Sequence, residues 1–79
     1  MKSIAFVMLN VTAGKVRSIL DTLKQFKEVI EAYSITGPKD IIVRIESEEN
    51  LESIAKIVVT KIHEIPGVLH SETYFVVRF

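Results

Sequence analysis

The segment Thr36-Gly37-Pro38-Lys39-Asp40 sets backbone N–H groups, an amine and a carboxylate side by side. A zwitterion such as an amino acid needs that mix, with donors for its carboxylate and acceptors for its ammonium. Ser71 and Thr73 add two hydroxyls, and their spacing puts both on one face of a strand. An ordinary hairpin turn and two surface hydroxyls account for the same residues. Composition alone leaves both readings open.

Other chemistry is thin. His63 falls near the end of a helical stretch, where the helix dipole favours an imidazole. His70 and Glu72 share a strand face, but two ligands do not make a metal site. Glu48 and Glu49 stand at a helix start, where carboxylates are favoured for structural reasons. The chain has no phosphate-loop pattern, no Gly-x-Ser-x-Gly and no His-Glu-x-x-His. No catalytic residue, metal or cofactor is assigned.

These groups are positioned by six elements. Ile4 to Val11 is short, apolar and rich in strand formers. Thr12-Ala13-Gly14 breaks it, and Thr12 is expected to cap the helix that follows. From Lys15 to Phe26 the apolar residues Val16, Ile19, Leu20, Leu23 and Phe26 recur at helical spacing. Glu28 to Thr36 alternates as a strand, with Val29, Glu31, Tyr33 and Ile35 expected on one face. Gly37 to Asp40 is the strongest turn signal, and Ile41 to Glu46 completes an antiparallel hairpin. Ser47 is expected to cap a second helix, with Leu51, Ile54, Ala55, Val58, Ile62 and Ile65 as its apolar stripe. Pro66-Gly67 ends it, and Val68 to Phe79 is the last strand.

The order strand, helix, strand, strand, helix, strand is the α+β, ferredoxin-like βαββαβ arrangement. It implies a four-stranded antiparallel sheet with two helices on one face. The uncovered face should then be polar at alternate residues. The first strand disobeys, with Ile4, Phe6 and Met8 opposing Ala5, Val7 and Leu9; the third sets Ile42, Arg44 and Glu46 against Ile41, Val43 and Ile45, and the fourth sets Tyr74 and Val76 against Phe75, Val77 and Phe79. Exposed apolar patches mark interfaces, so a homodimer packed sheet face against sheet face is expected.

Composition sets the outer bounds. The chain has 79 residues and no Cys, so it is one domain, 1–79, without disulfides. Its 48% hydrophobic fraction and mean hydropathy of +0.31 suit a small domain that associates with copies of itself. Ten basic and ten acidic side chains cancel, which gives no general electrostatic pull toward nucleic acid or an anionic membrane. RNA-binding domains of this chain order expose aromatics on both central strands, and Ile41 to Glu46 has none. No apolar run approaches the roughly 20 residues of a membrane helix. The run after Met1-Lys2 is too short before Asn10 for a secretion signal, and a cytoplasmic location is expected.

A set of short motifs occurs in fixed order. These are Ala5-Phe6-Val7, Val11-x-x-Gly14, Val29-x-Glu31-Ala32-Tyr33-x-Ile35-Thr36-Gly37-x-x-Asp40 and Pro66-Gly67-Val68-x-x-Ser71-x-Thr73. Together they span nearly the whole chain and resemble the RAM effector domain of the Lrp/AsnC transcription regulators. The resemblance implies sheet-packed dimers, rings of four dimers and amino-acid binding between dimers. It places Gly37, Pro38, Lys39 and Asp40 in the effector loop and turns Ser71 and Thr73 toward the ligand side chain. Lys39 stands where the family often has an aromatic, and Ser71 where it often has Thr. Met1 stands just before the first strand, so the chain is expected to lack the family's helix-turn-helix module. It is then expected to act on transcription through full-length regulators, without contacting DNA itself. A small cofactor-free enzyme of monooxygenase or isomerase type and a ligand-free adaptor are the alternatives.

Overall fold

The computed structural model describes residues 2–79, the side chain of Val59 excepted. Met1, read above as the lead-in to the first strand, lies outside the described residues. The elements are β1 (Ser3–Val11), α1 (Val16–Leu23), β2 (Val29–Ser34), β3 (Ile41–Ser47), α2 (Leu51–Ile57) and β4 (Val68–Phe75). The sheet order is β2-β3-β1-β4, and every neighbouring pair is antiparallel. This is the ferredoxin-like arrangement expected from the element order.

Strand alternation builds the core. Ala5, Val7 and Leu9 on β1 and Ile41, Val43 and Ile45 on β3 are fully buried. They meet Ile19 and Leu23 of α1 and Ile54 and Ile57 of α2 in one cluster. Burying each such aliphatic side chain is worth about 1.5–3 kcal/mol, which holds both helices to one side of the sheet.

Several boundaries differ from the sequence expectation. The cap of α2 is Asn50, whose Oδ1 accepts from the Ser53 N–H at 3.1 Å. Ser47 instead ends β3, and its hydroxyl accepts from the Glu49 N–H. No side chain caps α1, whose first flanking residue is Lys15 rather than Thr12. The helix stops at Leu23, because the next N–H groups bond three residues back: Gln25 to Thr22 and Phe26 to Leu23. Regular strand pairing ends at Phe75, and the Val76 N–H adds one last bond to the Ile4 carbonyl at 2.9 Å.

Two faces also shift. A bulge between Val29 and Glu31 gives β2 an extra residue. Val29 therefore packs on the core with Ala32, while Ile30 stays exposed and Glu31 and Tyr33 keep the opposite face. After α2 the helix widens into a π-helical turn, Val58–Ile62, in which the His63 N–H bonds the Val58 carbonyl five residues back. Ile57, just before this turn, and Ile62, at its end, are both buried in the core. The buried stripe is thus Ile54, Ile57, Val58, Ile62 and Ile65, and Leu51 and Ala55 are exposed. Lys61 on this turn pairs with Glu28 at 3.3 Å and lies 5.8 Å from the Phe26 ring, tying the α1–β2 connection to the second helix.

Candidate functional site

The β2–β3 turn is clamped to the end of β1 by Asp40. Its N–H donates to the Leu9 carbonyl at 2.9 Å, its carbonyl accepts from the Ile35 N–H at 2.9 Å, and its Oδ2 accepts from the Val11 N–H at 2.9 Å. Gly37 at the tip has φ +120°, a conformation that β-carbon-bearing residues rarely adopt. Nothing lies within 4 Å of where a β-carbon there would sit, so the tip faces open space. Among the described residues, the N–H groups of Gly37 and Lys39 have no protein acceptor.

Asn10 secures the same turn from the uncovered face. Its Nδ2 donates to the Pro38 carbonyl at 2.7 Å, and its Oδ1 accepts from Lys39 Nζ at 3.1 Å. Lys39 is mostly covered and also pairs with Glu72 Oε1 at 3.3 Å. The Tyr74 hydroxyl donates to the same Glu72 oxygen at 3.0 Å. The Tyr74 hydrogen bond, with Lys39 second, holds the Glu72 carboxyl below its ordinary range, and Glu72 in turn raises the Tyr74 phenol.

Ser71 and Thr73 lie on the opposite face at the same end of the sheet. Ser71 is paired with Leu9 and Thr73 with Val7, both of which point toward the helices. Ser71 Oγ is 2.6 Å from His63 Nε2, at the end of the π-helical turn. The turn Gly37–Asp40 and the pair Ser71–Thr73 are therefore gathered at one end but separated by the thickness of the sheet. Concavities of about 320, 140 and 390 Å³ are lined by none of these six residues. His70 and Glu72 do share the uncovered face, opposite Asn10 and Met8.

Sequence reasoning missed Asn10, the Lys39–Glu72–Tyr74 chain and the His63–Ser71 contact. A signal for Asn10 existed, since it is the one polar residue in the run Ile4 to Val11. The Glu72–Tyr74 bond joins residues two apart on one strand face, a spacing visible in the sequence, whereas Lys39–Glu72 and His63–Ser71 join distant segments and leave no local pattern.

Comparison with known proteins bears on this arrangement. Residues 4–79 match the family model described as the Lrp/AsnC ligand binding domain. The HTH-type transcriptional regulator FL11 of Pyrococcus abyssi is 32% identical over 77 residues, covering 95% of this chain and 48% of that protein. The chain thus spans about half the length of the curated relatives it matches first. Two solved structures are near it along their full length. FFRP-DM1 has a TM-score of 0.89 at 29% identity, covering 95% of this chain and 99% of its own. The hypothetical protein PHS023 from Pyrococcus horikoshii has a TM-score of 0.87 at 29% identity, covering 100% and 93%. The curated relatives are named as transcriptional regulators, not as enzymes. Among the described residues, no helix is long and apolar enough to cross a membrane.

Proposed function

The chain belongs to the Lrp/AsnC ligand-binding domain family, and from that premise we propose that it is an oligomeric amino-acid sensor acting on transcription through full-length regulators of the same family. The observation that carries this reading is the Gly37–Asp40 turn. It is clamped by Asp40 and Asn10, while the N–H groups of Gly37 and Lys39 have no acceptor among the described residues. Rigid, pre-aimed N–H donors suit an effector carboxylate, because little ordering remains to be done on binding.

The effector's carboxylate meets Gly37 and Lys39, and its side chain meets Ser71 and Thr73. One copy presents the two groups on opposite faces of the sheet. A ligand touching both therefore lies where two copies meet, which makes binding and assembly one event. Dimers joined through sheet faces, and a ring of four dimers, supply such junctions. Lys39 is already paired with Glu72, so a second carboxylate on the effector would have to displace that pair. This favours effectors with uncharged side chains. DNA contact belongs to the regulator that the sensor joins.

The test is solution mass by light scattering after size exclusion, with and without a mixture of the common amino acids. A large assembly whose mass or thermal midpoint shifts with the mixture is the expected result, and single amino acids then identify the effector. A monomer indifferent to the mixture overturns the reading. A large assembly that ignores every amino acid yet captures a full-length regulator replaces the sensor with an adaptor.

A further inference from the structure

The π-helical turn Val58–Ile62 ends at His63, whose N–H bonds the Val58 carbonyl. Such a turn holds one residue more than an α-helical one, so it sets the direction in which the next side chain points. Ile62 is fully buried, and His63 beside it is exposed. The imidazole reaches across to β4, where its Nε2 lies 2.6 Å from Ser71 Oγ. Thr73 follows Ser71 on that face, half-buried, and its hydroxyl has no protein partner among the described residues.

We propose that His63 is the specificity-determining residue for the effector's side chain, and that with Ser71 and Thr73 it selects an amino acid bearing a hydroxyl or a carboxamide. The other ring nitrogen, Nδ1, has no partner among the described residues, so nothing in the fold fixes the tautomer. In one tautomer Ser71 donates to Nε2 and keeps lone pairs to accept from a ligand. In the other it accepts from Nε2–H and keeps its O–H to donate. The pair thus offers a donor or an acceptor as the ligand requires, and Thr73 offers both. Hydroxyls and carboxamides carry both functions themselves and can answer all three groups.

The rest of the face argues against an aliphatic effector. Ser71 and Thr73 lie opposite Leu9 and Val7, next to the end of the sheet that carries the Gly37–Asp40 turn. The next residue on this face, Phe75, lies opposite Ala5 and further from that end. An aliphatic side chain held at Ser71 and Thr73 would cover their hydroxyls without bonding them, and a site built to bond polar atoms rejects such a ligand strongly. The His63–Ser71 pair is not arranged for nucleophilic attack, because no carboxylate orients the imidazole among the described residues.

This rests on the amino-acid sensor proposed above and names its effector class. The full chain is titrated by calorimetry with each common amino acid, compared in pairs of similar shape: threonine with valine, asparagine with leucine, glutamine with methionine. The tightest binder should carry a hydroxyl or a carboxamide, and should bind roughly tenfold tighter or more than its apolar counterpart. His63→Leu should erase that preference, and His63→Gln, which keeps a hydrogen-bonding group, should retain it. His63→Ala is read in place of His63→Leu if leucine disturbs the fold. A contact that merely tied the turn to β4 would lower thermal stability in these variants and leave the preference unchanged, which overturns the proposal. Tightest binding by an apolar or a charged amino acid overturns it too, and in both cases the sensor stands. No binding by any common amino acid overturns the sensor and its selectivity together.

Discussion

The Asp40 carboxylate accepts a hydrogen bond from the Val11 N–H at 2.9 Å, so a residue of the candidate effector loop is also the clasp between β3 and the end of β1. A hydrogen bond to a charged acceptor contributes about 1.5–3 kcal/mol. Asp40→Ala should therefore lower unfolding free energy by about 2 kcal/mol in denaturant titration, with or without effector. Asp40→Asn keeps an acceptor oxygen and should lose less. Equal stability of Asp40→Ala and the parent would remove the clasp.

Helix capping gives a second comparison. Asn50→Ala removes the cap bond to Ser53 and should cost about 1 kcal/mol. Ser47→Ala removes only an exposed bond to the Glu49 N–H and should cost less. Thermal melts of the two variants check the order, and a larger loss at Ser47 would contradict the assignment.

Gly67 and Gly14 both have positive φ, +99° and +84°. A β-carbon at Gly14 meets open space, whereas one at Gly67 comes within 3.2 Å of Ile19 Cδ1 and of Lys15 Cβ and Cγ. Both Ala variants carry backbone strain of about 1 kcal/mol or more, and Gly67→Ala adds a packing clash. Chemical denaturation should rank Gly67→Ala as clearly the less stable.

The Glu28 carboxyl lies below its ordinary range in the folded chain. Burial pushes it up, but its backbone N–H and Lys61 together outweigh that. A depressed folded-state value stabilises the fold above the unfolded-state range, and the contribution is lost as pH falls through the folded value. Stability should thus decline on acidification below the ordinary glutamate range. Glu28→Gln should flatten that part of the profile. An unchanged acid limb in Glu28→Gln would assign the decline to other carboxylates.

Glu72 offers a site-specific pH test. The Tyr74 hydroxyl is the largest cause of its lowered value, with Lys39 next. In Tyr74→Phe the Glu72 carboxyl should titrate nearer its ordinary value, as followed by carbon NMR of the side-chain carboxyl. No movement would mean that Lys39 alone holds it down.

The element order and the two-sided apolarity of β1 and β3 were legible in the sequence, because strand and helix periodicities are written in neighbouring residues. The family motifs were legible for the same reason. The bulge at Ile30 and the π-helical turn before His63 were not. Each adds one residue to a repeat, and only packing against β3 and the core decides where the extra residue goes. The six candidate site residues could be picked out by type and spacing, but their placement at one sheet end and their division between two faces depend on register. Ser71 follows Leu9 toward the helices, and Lys39 crosses to Glu72 on the open side. Pairing register is a relation between distant segments, and a shift of one residue turns every side chain to the other face. The sequence by itself therefore determined which surfaces this chain has. The tertiary structure decided which residues meet on each of them, because register is set by long-range contacts that no local pattern records.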